Sequence, residues 1–228
     1  MKKIRLLFML FCSLLLIIGC TKNNSAINPP VENNTDQGPD EEEKAEDKTT
    51  DKEKADAETS MINFFLPDGS SAHYEGDGNE FAELSIEVAH IDNKYVVIDE
   101  NNGGALIRKI YQVGNDKIET LFEDAIDMDE PIPTKEEINK LGGTEIYLQK
   151  PFEVGAKFDQ WTIVETDATI ETPFQKFDHV LVIEMKENDF VNRKYFAENY
   201  GEIKRESVMM TEDEDDFAVT STLESVNK

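Results

Sequence analysis

Ala82-Glu83-Leu84-Ser85-Ile86-Glu87-Val88 alternates apolar and polar residues without a break, and His90 continues the apolar phase. Period-two alternation puts one set of side chains on each face of an extended chain, so this stretch is a half-buried β-strand. The reading extends outward from it. Tyr95–Asp99 follows the turn residues Asp92-Asn93. Asn101-Asn102-Gly103-Gly104 turns the chain into Ala105–Val113, and Gly114-Asn115-Asp116 turns it into Lys117–Phe122. Ile146 and Leu148 mark a further strand, followed by Trp161–Val164, His179–Met185, Tyr195–Ala197, Ile203–Met210 and Phe217–Val226. These are about ten or eleven short strands, mostly joined by hairpins. An antiparallel meander of that size is expected to curl. The fold class is therefore mainly β, a curved antiparallel sheet forming a half-barrel or open barrel, with one short helix near 134–141.

The helix is signalled by its start. Thr134-Lys135-Glu136-Glu137 is a capping box, with Thr134 as N-cap and Glu137 at N3. Ile138 and Leu141 share a face, and Gly142 is placed as the C′ residue. Lys117–Asp127 has a competing helical reading, with Ile118, Leu121, Phe122 and Ile126 on one face; strand is preferred for its first half.

Upstream of residue 61 the composition changes. Lys2, Lys3 and Arg5 precede an apolar stretch, Leu6 to Ile18, interrupted only by Cys12 and Ser13. Thirteen residues at about 1.5 Å each reach about 20 Å, short of the hydrocarbon core of about 30 Å. The segment reads as the h-region of a signal peptide over 1–19. It ends in Ile17-Ile18-Gly19-Cys20, which resembles the lipobox of bacterial lipoproteins. The resemblance implies a diacylglycerol thioether on Cys20 and cleavage before it. Once Cys12 leaves with the leader and Cys20 is acylated, no thiol remains for a disulfide, a nucleophile or a metal. Two acyl chains on one residue suffice for stable membrane attachment. Residues 20–60 then form an acidic tether. Thr21–Ser60 holds 12 acidic and 5 basic residues and almost no apolar ones, so it is expected to remain disordered. The folded domain is 61–228. The formal net charge of −26 argues against a nucleic-acid partner, which would need a basic face.

The search for chemistry returns little. His73, His90 and His179 match no local metal motif, and the sequence has no phosphate loop, no dinucleotide fingerprint and no G-x-S-x-G. His90 reads as a core or rim residue, and His73 as exposed in a Gly-rich edge stretch. Two acidic clusters, Glu123 to Glu130 and Thr211 to Asp216, lack EF-hand spacing. They read as solvated loops, with weak calcium binding as the alternative. Phe64, Phe65, Tyr74, Phe81, Tyr95, Tyr111, Phe122, Tyr147, Trp161, Phe177, Tyr195 and Phe196 are placed in strands, mostly as core.

The second half carries a family pattern: Trp161-Thr162-Ile163, then Thr172-Pro173-Phe174-Gln175-Lys176-Phe177, then Val180–Ile183, then Tyr195-Phe196-Ala197 followed by Gly201 and Lys204. It resembles a domain of secreted lipoproteins in Gram-positive bacteria, and its sheet is similar to the curved open sheets of LolA-like lipoprotein carriers. The resemblance covers about residues 144–226 and, more loosely, 62–122, and it implies fold rather than activity. Two positions depart from it. Asn199 stands where the family has the first Gly of a turn, so a left-handed Asn is expected there. The stretch after Pro173 lacks the family's Gly, which leaves the local register open.

Taken together, the residues point to a lipid-anchored, extracytoplasmic, non-catalytic binding or accessory module with no cofactor. Its partners would be the membrane, through the anchor, and an envelope protein, peptide or apolar ligand. The candidate ligand-binding residues are Trp161, Tyr195 and Phe196 on a concave face. The competing reading is an envelope hydrolase with a carboxylate-based site, or a weak calcium-binding module.

Overall fold

The computed structural model describes residues 60–211 and 216–228. The expected leader, Cys20, nearly all of the tether and the acidic tip at 212–215 lie outside the described residues. Twelve strands follow one another: β1 (Ser71–Asp77), β2 (Leu84–Ile91), β3 (Tyr95–Asn101), β4 (Leu106–Val113), β5 (Lys117–Ala125), β6 (Glu145–Gln149), β7 (Lys157–Phe158), β8 (Trp161–Glu171), β9 (Lys176–Glu187), β10 (Phe190–Ala197), β11 (Gly201–Met209) and β12 (Phe217–Asn227). They form one antiparallel sheet in the order β6-β5-β4-β3-β2-β1-β12-β11-β10-β9-β8-β7. The chain starts at the centre, runs outward to β6, crosses to the opposite edge at β7 and returns, so that β12 pairs with β1. The expected curved antiparallel sheet is present, as a nearly closed barrel.

The curl has local causes. Register shifts interrupt the ladders at His73/Tyr74, Ile110/Tyr111 and Tyr195/Phe196. Three more interrupt the β8–β9 ladder, and each bulge bends and twists its strand. One bulge residue, His179, has φ 57°. At the seam between the sheet's two edges the Asp159 carboxylate accepts a hydrogen bond from the Ile146 N–H at 2.6 Å. A side chain thus occupies an edge amide that a strand would otherwise satisfy.

One end of the barrel is plugged. Met61–Phe64 form a 3-10 turn, and Met61, Phe64, Phe65 and Leu66 are all buried. Phe64 meets Phe152 edge-on at 5.1 Å, Tyr111 and Tyr147 lie 4.7 Å apart, and Tyr147 meets Phe196 at 5.4 Å. Outside the sheet, Ile138 of the short helix α1 (Lys135–Ile138) seals a second apolar cluster with Tyr95, Val97, Ile110 and Leu121. Arg108 beside it holds the Asp99 carboxylate through two 2.7 Å bonds and donates to the Pro131 carbonyl at 2.6 Å.

Several expectations change. The capping box forms as read, but the helix is a single turn and ends on Asn139 in the right-handed region. Gly142 is not among the positive-φ glycines, so it is not a left-handed C′ residue. Lys117–Ala125 is a strand throughout, because both its neighbours offer ladders. The stretch holding His73 and Tyr74 is β1, a central strand rather than an edge, and His73 is only partly exposed. Phe64 and Phe65 belong to the plug, and Phe81 stands exposed in the β1–β2 connection. Asn199 does occupy the left-handed region, at φ 68°. The stretch after Pro173 closes as a hairpin turn in which the Thr172 Oγ1 donates to the Gln175 carbonyl at 2.8 Å.

Candidate functional site

Directly opposed residues of an antiparallel ladder share a face. The registers of β9 to β12 therefore define successive layers on the inner face of the curl. Deepest, Phe196 opposes Leu181 and Glu202. The next layer holds Lys194 opposite Ile183 and Arg205, with Ser221 opposite Arg205. Above it lie Asn192, Met185, Ser207 and Val219. The outermost layer is Phe190, Met209 and Phe217, whose exposures are 45%, 37% and 47%. A charged floor thus lies under an exposed apolar lip.

The floor is an ion network drawn from four strands. Arg205 bonds both the Glu202 and the Glu100 carboxylates, the latter at 2.9 Å. Lys109 sits 3.0 Å from Glu100 and 3.5 Å from the half-exposed Glu123. Glu100 and Glu202 side chains are only 7% exposed. Burial pushes the Glu100 carboxyl up, but Arg205 and Lys109 outweigh it and hold it at about 2. Glu202 is likewise displaced upward by burial and then held below the usual range by Arg205 and Lys194. The Tyr147 hydroxyl donates to Glu202 at 3.2 Å, and the Tyr74 hydroxyl donates to its carbonyl at 2.8 Å. Burial drives the Tyr74, Tyr111 and Tyr147 hydroxyls well above their ordinary value, so they stay neutral, with Tyr74 and Tyr147 as donors.

Lys194 stands apart from the other cations. Its ammonium lies 4.7 Å from the Tyr147 ring centre and 5.1 Å from that of Trp161, a double cation–π contact. Its nearest ion-pair oxygen among the described residues is Glu202 Oε2, at 3.9 Å, beyond hydrogen-bond length. Burial first, with Arg205 and Lys109 adding repulsion, lowers its pKa despite Glu202. Lys194, Glu100 and Arg205 separate two spaces. A cavity of about 240 Å³ lies on the plugged side, lined by the tyrosines and Phe65. A groove of about 450 Å³ opens toward the lip, lined by Phe81, Leu84, Trp161, Met185 and Val219. That volume lies within the range of small-molecule pockets.

Of the three aromatics expected on the concave face, Trp161 lines the groove. Phe196 faces inward but is 0% exposed, part of the packed core. Tyr195 points outward, where Lys204 sits over its ring at 5.1 Å and burial with Glu206 pushes its hydroxyl up to about 12. The structure therefore keeps Trp161 at the site, and it adds Lys194, the ion network and the Phe190–Met209–Phe217 lip.

The histidines lie elsewhere. His90 is a rim residue whose ring bonds the Leu66 carbonyl at 2.9 Å. His179 meets Asp167 at 2.5 Å on the exposed outer surface. His73 contacts Ser85 Oγ at 3.0 Å, with Glu83 and Glu224 each 3.4 Å from its other nitrogen. That row resembles a nucleophile, base and carboxylate, but it lies on the flat outside of a central strand. Ladders occupy both sides of β1 there, His73 opposing Ser85 and Ser225. The row therefore lies on an open sheet surface rather than in a cleft. Among the described residues, no group of three or more His, Cys, Asp and Glu is arranged to hold a metal ion.

No protein-family model matches the chain, and no curated protein matches it in sequence. Two crystal structures are similar in shape at low identity. One is a candidate lipoprotein from Parabacteroides distasonis, 13% identical, with a TM-score of 0.46, covering 74% of this chain and 99% of its own. The other is a candidate exported protein with a YmcC-like fold from Bacteroides fragilis, also 13% identical with a TM-score of 0.46, covering 74% of this chain and 100% of its own.

Proposed function

We propose that this chain is a lipid-anchored, extracytoplasmic binding module that holds an apolar ligand in the open end of its curled sheet and performs no catalysis. The anchoring half rests on the sequence: a basic start, a short apolar stretch and Ile17-Ile18-Gly19-Cys20, followed by an acidic spacer. The binding half rests on one observation, the 450 Å³ groove whose walls are Trp161, Phe81, Leu84, Met185 and Val219, on a sheet face whose register continues to the exposed Phe190, Met209 and Phe217. Soluble surfaces rarely leave such a row uncovered above a concavity. The polar groups at the floor are engaged in salt bridges and ring contacts rather than in a nucleophile–base pair, which favours holding over turnover. A long acidic tether lets such a head capture its ligand at variable distance from the membrane.

Trp161 is the sole tryptophan, so its emission reports the groove alone. The full lipidated chain in phosphatidylcholine vesicles is titrated with soluble decyl-chain amphiphiles, charged and neutral. A saturable change in Trp161 emission, weakened by Phe190→Ser combined with Phe217→Ser, is expected. No saturable change with any member of the series overturns the binding reading.

A further inference from the structure

Resting on the groove as a binding site, we infer that its ligand is an amphiphile with a singly charged carboxylate head, received by the Lys194 ammonium, and an apolar chain that runs outward over Phe190, Met209 and Phe217. The first observation is the charge balance of the floor. Lys109, Lys194 and Arg205 face two deeply buried carboxylates, Glu100 and Glu202. Glu123 touches only Lys109, at 3.5 Å, from a half-exposed position. Arg205 divides itself between the two buried carboxylates, and Lys109 bonds Glu100. Lys194 is left as the cation whose nearest ion-pair partner among the described residues lies at 3.9 Å. Lys109 is thus shared by Glu100 and Glu123, and Arg205 by Glu100 and Glu202, which leaves Lys194 as the least closely paired cation at the groove's floor, inside a chain whose formal net charge is −26. An anion is repelled by the surface of such a protein and welcomed at this one interior position.

The second observation is geometric and independent of charge. Lys194 and Phe190 lie on the same face of β10, four residues apart, which is about 13 Å along the strand. Between them Asn192, Met185, Ser207 and Val219 form the groove wall, and Trp161 flanks the ammonium. A ligand that extends from the ammonium along β10 crosses this wall, and its outer end rests on the exposed lip. A polar head without a chain would leave the lip uncovered, and a chain without a head would leave the ammonium with no anionic partner inside hydrogen-bond distance.

The single loosely paired ammonium also selects the head. A carboxylate brings one negative charge and complements that one ammonium. A phosphate monoester brings about −1.5 to −2 and would crowd Glu202 with uncompensated charge. Neither the cation–π contacts nor the 3.9 Å approach of Glu202 need be lost on binding, because the ammonium has three donors.

The test uses the full lipidated chain in phosphatidylcholine vesicles and reads Trp161 emission with decanoate, methyl decanoate and decyl phosphate. Decanoate is expected to bind about tenfold more tightly than its methyl ester, the value of a charge-assisted hydrogen bond. Lys194→Gln should bring acid and ester to equal affinity, and Lys194→Arg should restore most of the preference. Phe190→Ser with Phe217→Ser, both exposed and outside the core, should weaken acid and ester alike. Equal binding of acid and ester by the wild type overturns the carboxylate inference and leaves the groove reading standing. Decyl phosphate binding more tightly than decanoate overturns the choice of a singly charged head. If no decyl ligand gives a saturable change, the groove reading itself falls and this inference with it.

Discussion

Arg205→Met removes the one side chain that neutralises two buried carboxylates at once. In the native protein Glu100 is held at about 2, against about 4.3 for an unfolded glutamate. A depressed carboxylate contributes stability that is present above the unfolded pKa and lost as pH falls toward the folded one; here that is about 3 kcal/mol. After the substitution Glu100 keeps Lys109 at 3.0 Å, while Glu202 keeps only Lys194 at 3.9 Å and the Tyr147 hydroxyl. Methionine fills the aliphatic volume of the arginine stem, so the loss is mainly electrostatic. Leaving a buried charge uncompensated costs about 3–5 kcal/mol, which is the expected loss at about pH 7.5. The pH dependence fixes the cause. With Arg205, the largest opposing charge, gone, burial outweighs the more distant Lys194, and the Glu202 pKa in the variant rises above its unfolded value. The variant then takes up protons more readily folded than unfolded, so its deficit shrinks as pH falls. Urea unfolding followed by Trp161 emission at about pH 7.5 and about pH 4.5 should show the deficit at least halved at the lower pH. A deficit under about 1 kcal/mol, or one that is the same at both pH values, would refute the account of the floor as a mutually dependent ion network.

Three further outcomes are expected. Asn199 has φ 68°, so Asn199→Gly should leave chemical denaturation unchanged or slightly more resistant, whereas Asn199→Val should cost about 1–2 kcal/mol; equal midpoints for the two variants would contradict this. A Cβ on Gly76 would stand 2.0 Å from Glu83 N and 2.4 Å from the Ala82 carbonyl carbon, both backbone atoms with no room to move. Gly76→Ala should therefore lower the melting temperature by about 6 °C or more, and a wild-type melt would show that β1 and the following turn separate freely. Cys20→Ser should abolish incorporation of labelled fatty acid and leave the uncleaved precursor; continued labelling of that variant would sink the proposed anchor.

The sheet was legible because its strands face water on one side. Leu84, Ile86 and Val88 are buried while Ser85 and Glu87 are exposed, and that contrast is what alternation reports. Legibility weakens where the contrast does. β9 is still legible, over His179–Met185, although Val180, Leu181, Val182 and Ile183 are all buried and the strand is covered on both faces. Of β1 only Tyr74 is placed in a strand, within a stretch read as an edge. Ser71-Ala72-His73-Tyr74-Glu75-Gly76 buries only Ala72 and Tyr74, and Gly76 resembles turn chemistry although it serves close backbone approach to Ala82 and Glu83. The plug was misread as strand because a short aromatic run looks alike in either state; its burial inside the curl, rather than any propensity, fixes it.

The site was less legible than the fold, and the reason is physical. Its charged floor is assembled from β3, β4, β10 and β11, so Arg205 and Glu100 meet across 105 positions of sequence. Phase on a single strand nevertheless carries a usable signal. Tyr195 and Phe196 are neighbours, and neighbours on a strand point to opposite faces, so the two could not both line one concave wall. Once Phe196 is taken as core, Lys194 and Asn192 follow it inward and Tyr195 is sent outside, as observed. The same step on β3 sends Glu100 inward with Val96 and Ile98. A charge in phase with core residues is expensive to bury alone. Finding two such charges of opposite sign on strands far apart in sequence therefore predicts that the fold brings them together. Glu100 meets that expectation by pairing with Arg205 and Lys109. Lys194 meets it only at 3.9 Å, and the distance left over is what singles it out as the cation of the network that still has a partner to gain.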